Sequence, residues 1–167
     1  MSDKASKVGR SITPMEPGYP ESMDVTHRSL AVSTYNEAWS LLESDRGEIR
    51  GRDLLCLAMT SRYHWSIAGG PRECAIADWM VSRCFAAIGE GRLALSFAVA
   101  ALETQEPDFP AWLLASLHEG LARAAASAHD GDLRDQQLAL ARAALLKELD
   151  DDDRAVVQRQ IHDVPPG

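Results

Sequence analysis

The stretch from residue 71 to residue 107 most constrains the fold, because it predicts two helices joined by a very short turn. Pro71 begins the first helix, since proline is tolerated in a first helical turn and the residue before it is pushed out of the helical region. The glycines of the turn 89–91 end that helix, because glycine readily adopts the positive φ that follows many helices. A turn this short forces the two helices, predicted over 72–88 and 92–103, into an antiparallel pair.

Small residues and a proline stand at regular places in this helix pair, and part of the pattern occurs twice in the chain. The pattern consists of Ser82, Gly89, Ala94, Ala101 and Pro107, and the last three follow Ala58, Trp65 and Pro71 at one constant offset. This spacing resembles that of a tetratricopeptide repeat of about 34 residues. The resemblance implies stacked helix pairs in which the first helix of each pair supplies a concave binding surface. The chain also resembles bacterial helical-repeat proteins.

The sequence as a whole predicts an all-α fold of three antiparallel helix pairs, stacked as a tetratricopeptide-like right-handed superhelix and followed by a short C-terminal helix. A compact six-helix bundle is the alternative fold. The predicted helices cover residues 24–44, 52–68, 72–88, 92–103, 108–128, 133–149 and 153–161. The fifth of them is longer than the helix of a standard repeat.

The repeat domain is expected over residues 24–162, between a disordered N-terminal arm, 1–23, and a disordered tail, 163–167. Asp132 is expected to cap the sixth helix, because its side chain can accept a hydrogen bond from an unpaired backbone N–H. The acidic run 150–153 is expected to cap the terminal helix, since carboxylates favour helix N-termini, or else to form a solvated charge cluster.

Composition limits the classes of partner. A net charge of −8 argues against a nucleic-acid-binding protein, which would show a basic surface stripe. The sequence contains neither a signal-peptide core nor an apolar run long enough to cross a bilayer, so we expect a cytoplasmic protein without a membrane partner. The cysteines form no C-x-x-C pair, and we expect Cys56, Cys74 and Cys84 to be buried free thiols.

Two segments carry the candidate binding residues. Arg83 lies in a helix that is apolar on nearly all sides, so it requires a carboxylate or a ligand anion. Together with Trp79, and with Tyr63 and His64 from the preceding helix, it predicts a pocket for a peptide or a small acid. The resemblance to tetratricopeptide repeats adds two residues from first helices, Trp112 and His118.

A purely structural interpretation of the same residues is also open. In it, Asp78 forms an ion pair with Arg62 or Arg83, and the tryptophans fill the layers between helices. A metal site would require His64, His118 and His129 to converge, and the spacing of the histidines gives no helical metal motif.

We predict a protein or peptide interaction module of the tetratricopeptide type, with no cofactor, no metal and no catalytic residues. The sequence leaves its partner unidentified and leaves monomer and homodimer open. The alternative is a small helical enzyme or small-molecule-binding protein that uses Tyr63, His64, Asp78 and Arg83. An open groove would favour the first hypothesis, and a closed cavity with these side chains converging would favour the second.

Overall fold

The computed structural model describes residues 23–44, 51–148 and 150–166, with side chains from residue 26 onward. Within these ranges the secondary structure is α-helical and contains no strand, which confirms the all-α prediction. The helices are α1 (Met23–Leu42), α2 (Gly51–Ala68), α3 (Pro71–Ala87), α4 (Gly91–Glu103), α5 (Ala111–Ser127), α6 (Gly131–Leu145) and α7 (Asp151–His162).

The fifth helix is shorter than the sequence predicted. It begins at Ala111 rather than at residue 108, because Pro110 holds the extended conformation of an N-cap, with φ −64° and ψ 154°. The backbone N–H of Trp112 in the first turn donates to a carboxylate oxygen of Glu148 at 2.8 Å. With 17 residues, α5 has the same length as α3, so the predicted range 108–128 is too long.

Aspartates cap the last two helices. The sixth helix is capped by Asp130, whose carboxylate accepts from the N–H of Leu133 at 3.0 Å, so the prediction of Asp132 as the cap is wrong. At α7, Asp150 accepts from the backbone N–H groups of Asp152 and Asp153. The acidic run therefore caps the terminal helix, as predicted.

The turn between α3 and α4 uses its two glycines for different purposes. Gly89 has a φ of 81°, in the left-handed region that side chains disfavour. A Cβ on Gly91 would lie 2.5 Å from the backbone nitrogen of Ala128, so this glycine allows α4 to start against the end of α5. Between the paired helices, the buried Ser82 hydroxyl donates to the carbonyl of Ala94 at 2.9 Å.

The helices pack in a regular order. Each helix from α1 to α6 contacts the next one along the chain, and α7 contacts both α5 and α6. In addition, α1 contacts α3, α3 contacts α5, and α5 contacts α7. The first helices of the three pairs and α7 therefore lie side by side, over a core that contains Leu54, Met80 and Leu113.

The remaining predictions concern the N-terminal arm, the cysteines and membrane spans. The arm 1–23 lies outside the described residues, apart from residue 23, where α1 begins. Cys84 is buried and Cys74 is half-buried, but Cys56 is exposed, so the expectation that all three thiols are buried is wrong. In the described part of the chain, no helix has both the length and the apolar character needed to cross a bilayer.

Candidate functional site

A half-open groove of about 480 Å³ lies along the first helices, and all four tryptophans of the chain line it. We call it the tryptophan groove. Trp39 comes from α1, Trp65 from the end of α2, Trp79 from α3 and Trp112 from α5. The opposite wall is α7, which contributes its face from residue 153 to residue 160. Side chains that are far apart in sequence therefore share one surface.

An arginine stacks on each of these indole rings. The Arg83 guanidinium lies over both Trp39 and Trp79, at 5.2 and 5.0 Å from the ring centroids. The other two pairs are Arg28 over Trp65, at 5.2 Å, and Arg72 over Trp112, at 5.3 Å. A planar guanidinium over an aromatic face is attracted by the ring quadrupole, so each stack helps to fix the orientation of its ring.

The position of Trp79 depends on a glycine in the neighbouring helix. A Cβ on Gly120 would lie 2.4 Å from Cδ1 and 2.8 Å from Nε1 of Trp79. The indole edge therefore packs directly on the backbone of α5. The other side of the ring system stacks on Trp39, with centroids 5.8 Å apart and an interplanar angle of 23°. Contacts on both sides thus hold Trp79 in the floor of the groove.

A buried ion cluster lies beneath this floor. The Arg83 guanidinium donates to both carboxylate oxygens of Glu119, at 3.0 and 3.2 Å, and Arg123 donates to the same carboxylate at 2.8 Å. Glu119 is fully buried. Desolvation lowers the pKa of Arg83, and the negative charge of Glu119 opposes that shift. The sequence predicted that Arg83 needs a carboxylate or a ligand anion as its partner. The carboxylate of Glu119 is that partner.

The same cluster fixes the far wall of the groove. Arg123 also donates to the carbonyl oxygens of Gln160 at 3.1 Å and Asp163 at 3.2 Å, at the end of α7. These carbonyls lack helical partners, and a cation is favoured near a helix C-terminus. The cluster therefore connects α3, α5 and α7 through one pair of guanidinium groups.

Tyr35 adds a polar group to the groove. Burial raises the pKa of its hydroxyl to about 12, although the nearby Arg83 acts in the opposite direction. The phenol therefore keeps its proton at neutral pH and can donate a hydrogen bond to a ligand. Burial also raises the pKa of the Cys84 thiol to about 12, so this cysteine is a poor nucleophile.

The structure separates the six residues that the sequence proposed as a site. Trp79 and Trp112 line the tryptophan groove, and Arg83 lies under it. The other three lie elsewhere: Tyr63 is exposed beside His64, whose partner is His27, and His118 contacts Gln137 of α6 at 2.8 Å. Asp78 pairs with Arg62 at 2.6 Å, as the structural interpretation expected.

Sequence reasoning missed the part of the groove that comes from α1 and α7. Trp39 could have been found, because it lies on a first helix at the same kind of position as Trp79 and Trp112. Tyr35 and Trp39 also share one face of α1, four residues apart. No sequence signal indicates that α7 faces these rings, because that contact depends on the packing of the whole stack.

Two histidines form a separate polar contact between α1 and α2. The Nδ1 atoms of His27 and His64 lie 2.6 Å apart, so one ring donates a proton that the other accepts. Desolvation, and secondarily His27, lower the pKa of His64. In the described part of the chain, no three histidine, cysteine or acidic side chains come together in a group that could hold a metal ion.

We expect this histidine pair to make the protein less stable in mild acid. A folded pKa below the unfolded value of about 6.5 means that the unfolded chain takes up the proton first. The contribution of His64 is therefore present above that value and is lost as the pH falls through the folded pKa. Urea unfolding at about pH 7.5 and about pH 5.5 measures the loss in the range where histidine titrates.

The control for this prediction uses another histidine. The His64→Gln variant should lose less stability over this range than the wild type, whereas His162→Gln, at an exposed position, should lose as much. Glu73 does not interfere, because its pKa is lowered and its contribution is lost only in stronger acid. An equal loss in wild type and His64→Gln would contradict the prediction.

The chain was compared with protein-family models, with curated proteins and with solved structures, and none of them matches it.

Proposed function

We propose that this chain is a tetratricopeptide-like interaction module that binds a peptide segment of a partner protein in the tryptophan groove. The observation that carries the proposal is the convergence of all four tryptophans on one half-open groove. Tryptophan is enriched among the residues that dominate binding energy at protein interfaces. Trp65 and Trp79 are buried in the core, whereas Trp39 and Trp112 keep part of their surface open to the groove.

The size and shape of the groove suit an extended apolar segment. A volume of about 480 Å³ lies within the range of ligand sites and accommodates a few side chains. Trp39 and Trp112 are half-buried, so each offers indole surface to a ligand. Burial of that surface stabilises a complex by about 25 cal/mol per Å² of apolar area, before the entropic cost of association.

The arrangement of the helices supports the tetratricopeptide-like part of the proposal. In that family, the first helices of successive pairs form the concave surface. Here α1, α3 and α5 contact one another in turn and supply most of the lining of the groove. Helix α7 packs beside α5, in the position that the first helix of a fourth pair would occupy. The short turns of the second and third pairs, and the buried alanines Ala94 and Ala101, fit the same scheme.

The alternative of a small enzyme receives no support from the geometry. It required His64, Asp78 and Arg83 to converge, but each of them contacts a different partner. None of the three lines the tryptophan groove.

Peptide selection tests the proposal. Peptides selected from a random library on the immobilised protein should bind the wild type and change its tryptophan emission, because every tryptophan lines the groove. We expect Trp112→Ala to weaken binding about tenfold or more, since it removes a large apolar contact. Three tryptophans remain to report binding, and Trp112→Phe, which keeps an aromatic ring, should recover part of the affinity.

The matched control is Tyr63→Ala. This variant also removes an aromatic side chain, but an exposed one outside the groove. It should leave peptide affinity unchanged. If Tyr63→Ala weakens binding and Trp112→Ala does not, the binding surface is the histidine face of α2 and the proposal is wrong. Thermal unfolding followed by circular dichroism establishes that each variant is folded.

A further inference from the structure

The charged side chains that line the tryptophan groove are both acidic. They are Glu73 of α3 and Asp153 of α7. Among the described residues, the lining contains no lysine, arginine or histidine. The sequence had pointed instead to an acidic ligand, through Arg83. Arg83 is engaged by Glu119 below the floor, and Arg28 and Arg72 stack on indole rings without belonging to the lining. The lining itself therefore presents a ligand carboxylate with two charges of its own sign.

Asp153 is the more available of these two carboxylates. Its backbone N–H is used in the cap of α7, where it donates to Asp150 at 2.9 Å, while its side chain is exposed. Its neighbour Arg154 pairs with Asp151 at 2.7 Å instead. The Asp153 carboxylate therefore lies beside an apolar groove and attracts a cation there.

Glu73 is partly compensated already. One of its carboxylate oxygens accepts from the N–H of Gly70 at 2.9 Å, and this bond, followed by smaller effects of Arg28 and Arg72, lowers the pKa of Glu73. These two arginines stack on Trp65 and Trp112 near this end of the groove. A ligand cation is therefore favoured beside Asp153 on the α7 wall rather than beside Glu73.

A second polar group, the side chain of Gln160, lies on the α7 wall of the groove. The side-chain oxygen Oε1 of Gln160 is buried and has no hydrogen-bond partner, and Gln160 lines the groove. It lies two helical turns after Asp153 on the same face of α7. An unsatisfied buried acceptor is costly, so the Gln160 side chain gains a hydrogen bond if it turns toward a ligand N–H in the groove. Asp153 supplies the negative charge that attracts an ammonium or guanidinium group, and Gln160 supplies an uncharged acceptor farther along the helix.

We infer that the peptide bound in the tryptophan groove presents a lysine or arginine side chain to Asp153, a hydrogen-bond donor to Gln160 and apolar side chains to the indole rings. This inference rests on the proposed function and specifies the chemistry of its ligand. The charge of the occupant is thus set by α7, and its apolar character by α1, α3 and α5.

Three small probes of matched size test the inference on the full chain. They are phenethylammonium, 2-phenylethanol and 3-phenylpropanoate, which carry a basic, a neutral and an acidic group on the same phenethyl body. Titrations followed by tryptophan emission give three dissociation constants. We expect phenethylammonium to bind about fivefold more tightly than 3-phenylpropanoate, with the alcohol between them. Added salt should narrow the difference.

Two charge-neutralising variants locate the effect. Asp153→Asn should reduce the preference for the ammonium probe to about twofold, since it removes the attraction on the α7 wall. Asp152→Asn removes the same charge from the adjacent, exposed residue that does not line the groove, and it should keep the full preference. Both positions are exposed, so neither variant should fail to fold.

The outcomes separate this inference from the proposed function. Equal binding of the three probes, or tighter binding of the carboxylate, would overturn the inference about charge while leaving the groove as the binding site. Equal effects of Asp153→Asn and Asp152→Asn would also overturn it, because the preference would then reflect net charge alone. If no probe changes the emission, the inference is wrong, and the peptide selection with Trp112→Ala decides whether the proposed function falls with it.

Discussion

Replacement of Glu119 by glutamine should lower the free energy of unfolding by about 3–5 kcal/mol, one of the two largest effects we expect from a single substitution. The glutamine keeps the shape of the side chain but removes its negative charge. Arg83 and Arg123 would then remain as two mostly buried cations with no carboxylate between them. Urea denaturation followed by circular dichroism measures the change.

The control is an ion pair on the surface. Asp135→Asn removes the carboxylate that pairs with Arg134 at 2.8 Å, and Asp135 is largely exposed. Exposed pairs contribute about 0–1 kcal/mol, so this variant should remain close to the wild type. In the double variant Arg83→Met with Glu119→Gln, the loss should be smaller than the sum of the two single losses, because the substitutions act on one pair. A loss below about 1 kcal/mol in Glu119→Gln would show that the guanidinium groups reach water and that α7 is held by other contacts.

The helices could be predicted because their signals are local. Glycine and proline mark the ends of α3 and α4, and the spacing of apolar residues indicates each helix between them. Where prediction failed, the deciding feature was a detail of backbone conformation. Two aspartates precede Leu133 within one turn, and only Asp130 lies in the N-cap position from which a carboxylate reaches that N–H. Similarly, the rigid φ of Pro110 ends the loop before α5 and delays the start of that helix.

The candidate site was less predictable, because it is made by contacts between distant parts of the chain. The sequence indicated that Arg83 needs a carboxylate, but nothing in it identified Glu119, which lies in the following helix pair. Tyr63 and His64 were predicted to bind a ligand because they are bulky side chains that are adjacent in sequence. Helix α2 places both of them outside the groove. Periodicity indicates which face a residue occupies within its own helix. It does not indicate which other helix that face meets, and this choice determined both the groove and its charge.

The second large effect is expected from Gly120→Ala, which should destabilise the protein by about 1–3 kcal/mol although alanine is the better helix former. The added methyl group would lie 2.4 Å from Cδ1 of Trp79. The indole has little room to retreat, because Trp39 and the Arg83 guanidinium stack against it. We therefore expect a lower melting temperature together with a shift in tryptophan emission, since displacement of this ring changes the floor of the groove.

Gly131→Ala provides the matched control for this substitution. Both changes add one methyl group to a glycine within a helix, but a Cβ on Gly131 would meet nothing within 4 Å. This variant should be as stable as the wild type, or more stable by up to about 1 kcal/mol, because alanine loses less backbone entropy on folding. If Gly120→Ala behaved like Gly131→Ala and kept the wild-type emission, the edge of Trp79 could not be packed on α5. The groove would then have a floor free to move, and the fixed geometry on which the proposed selectivity for a cationic, apolar peptide depends would be lost.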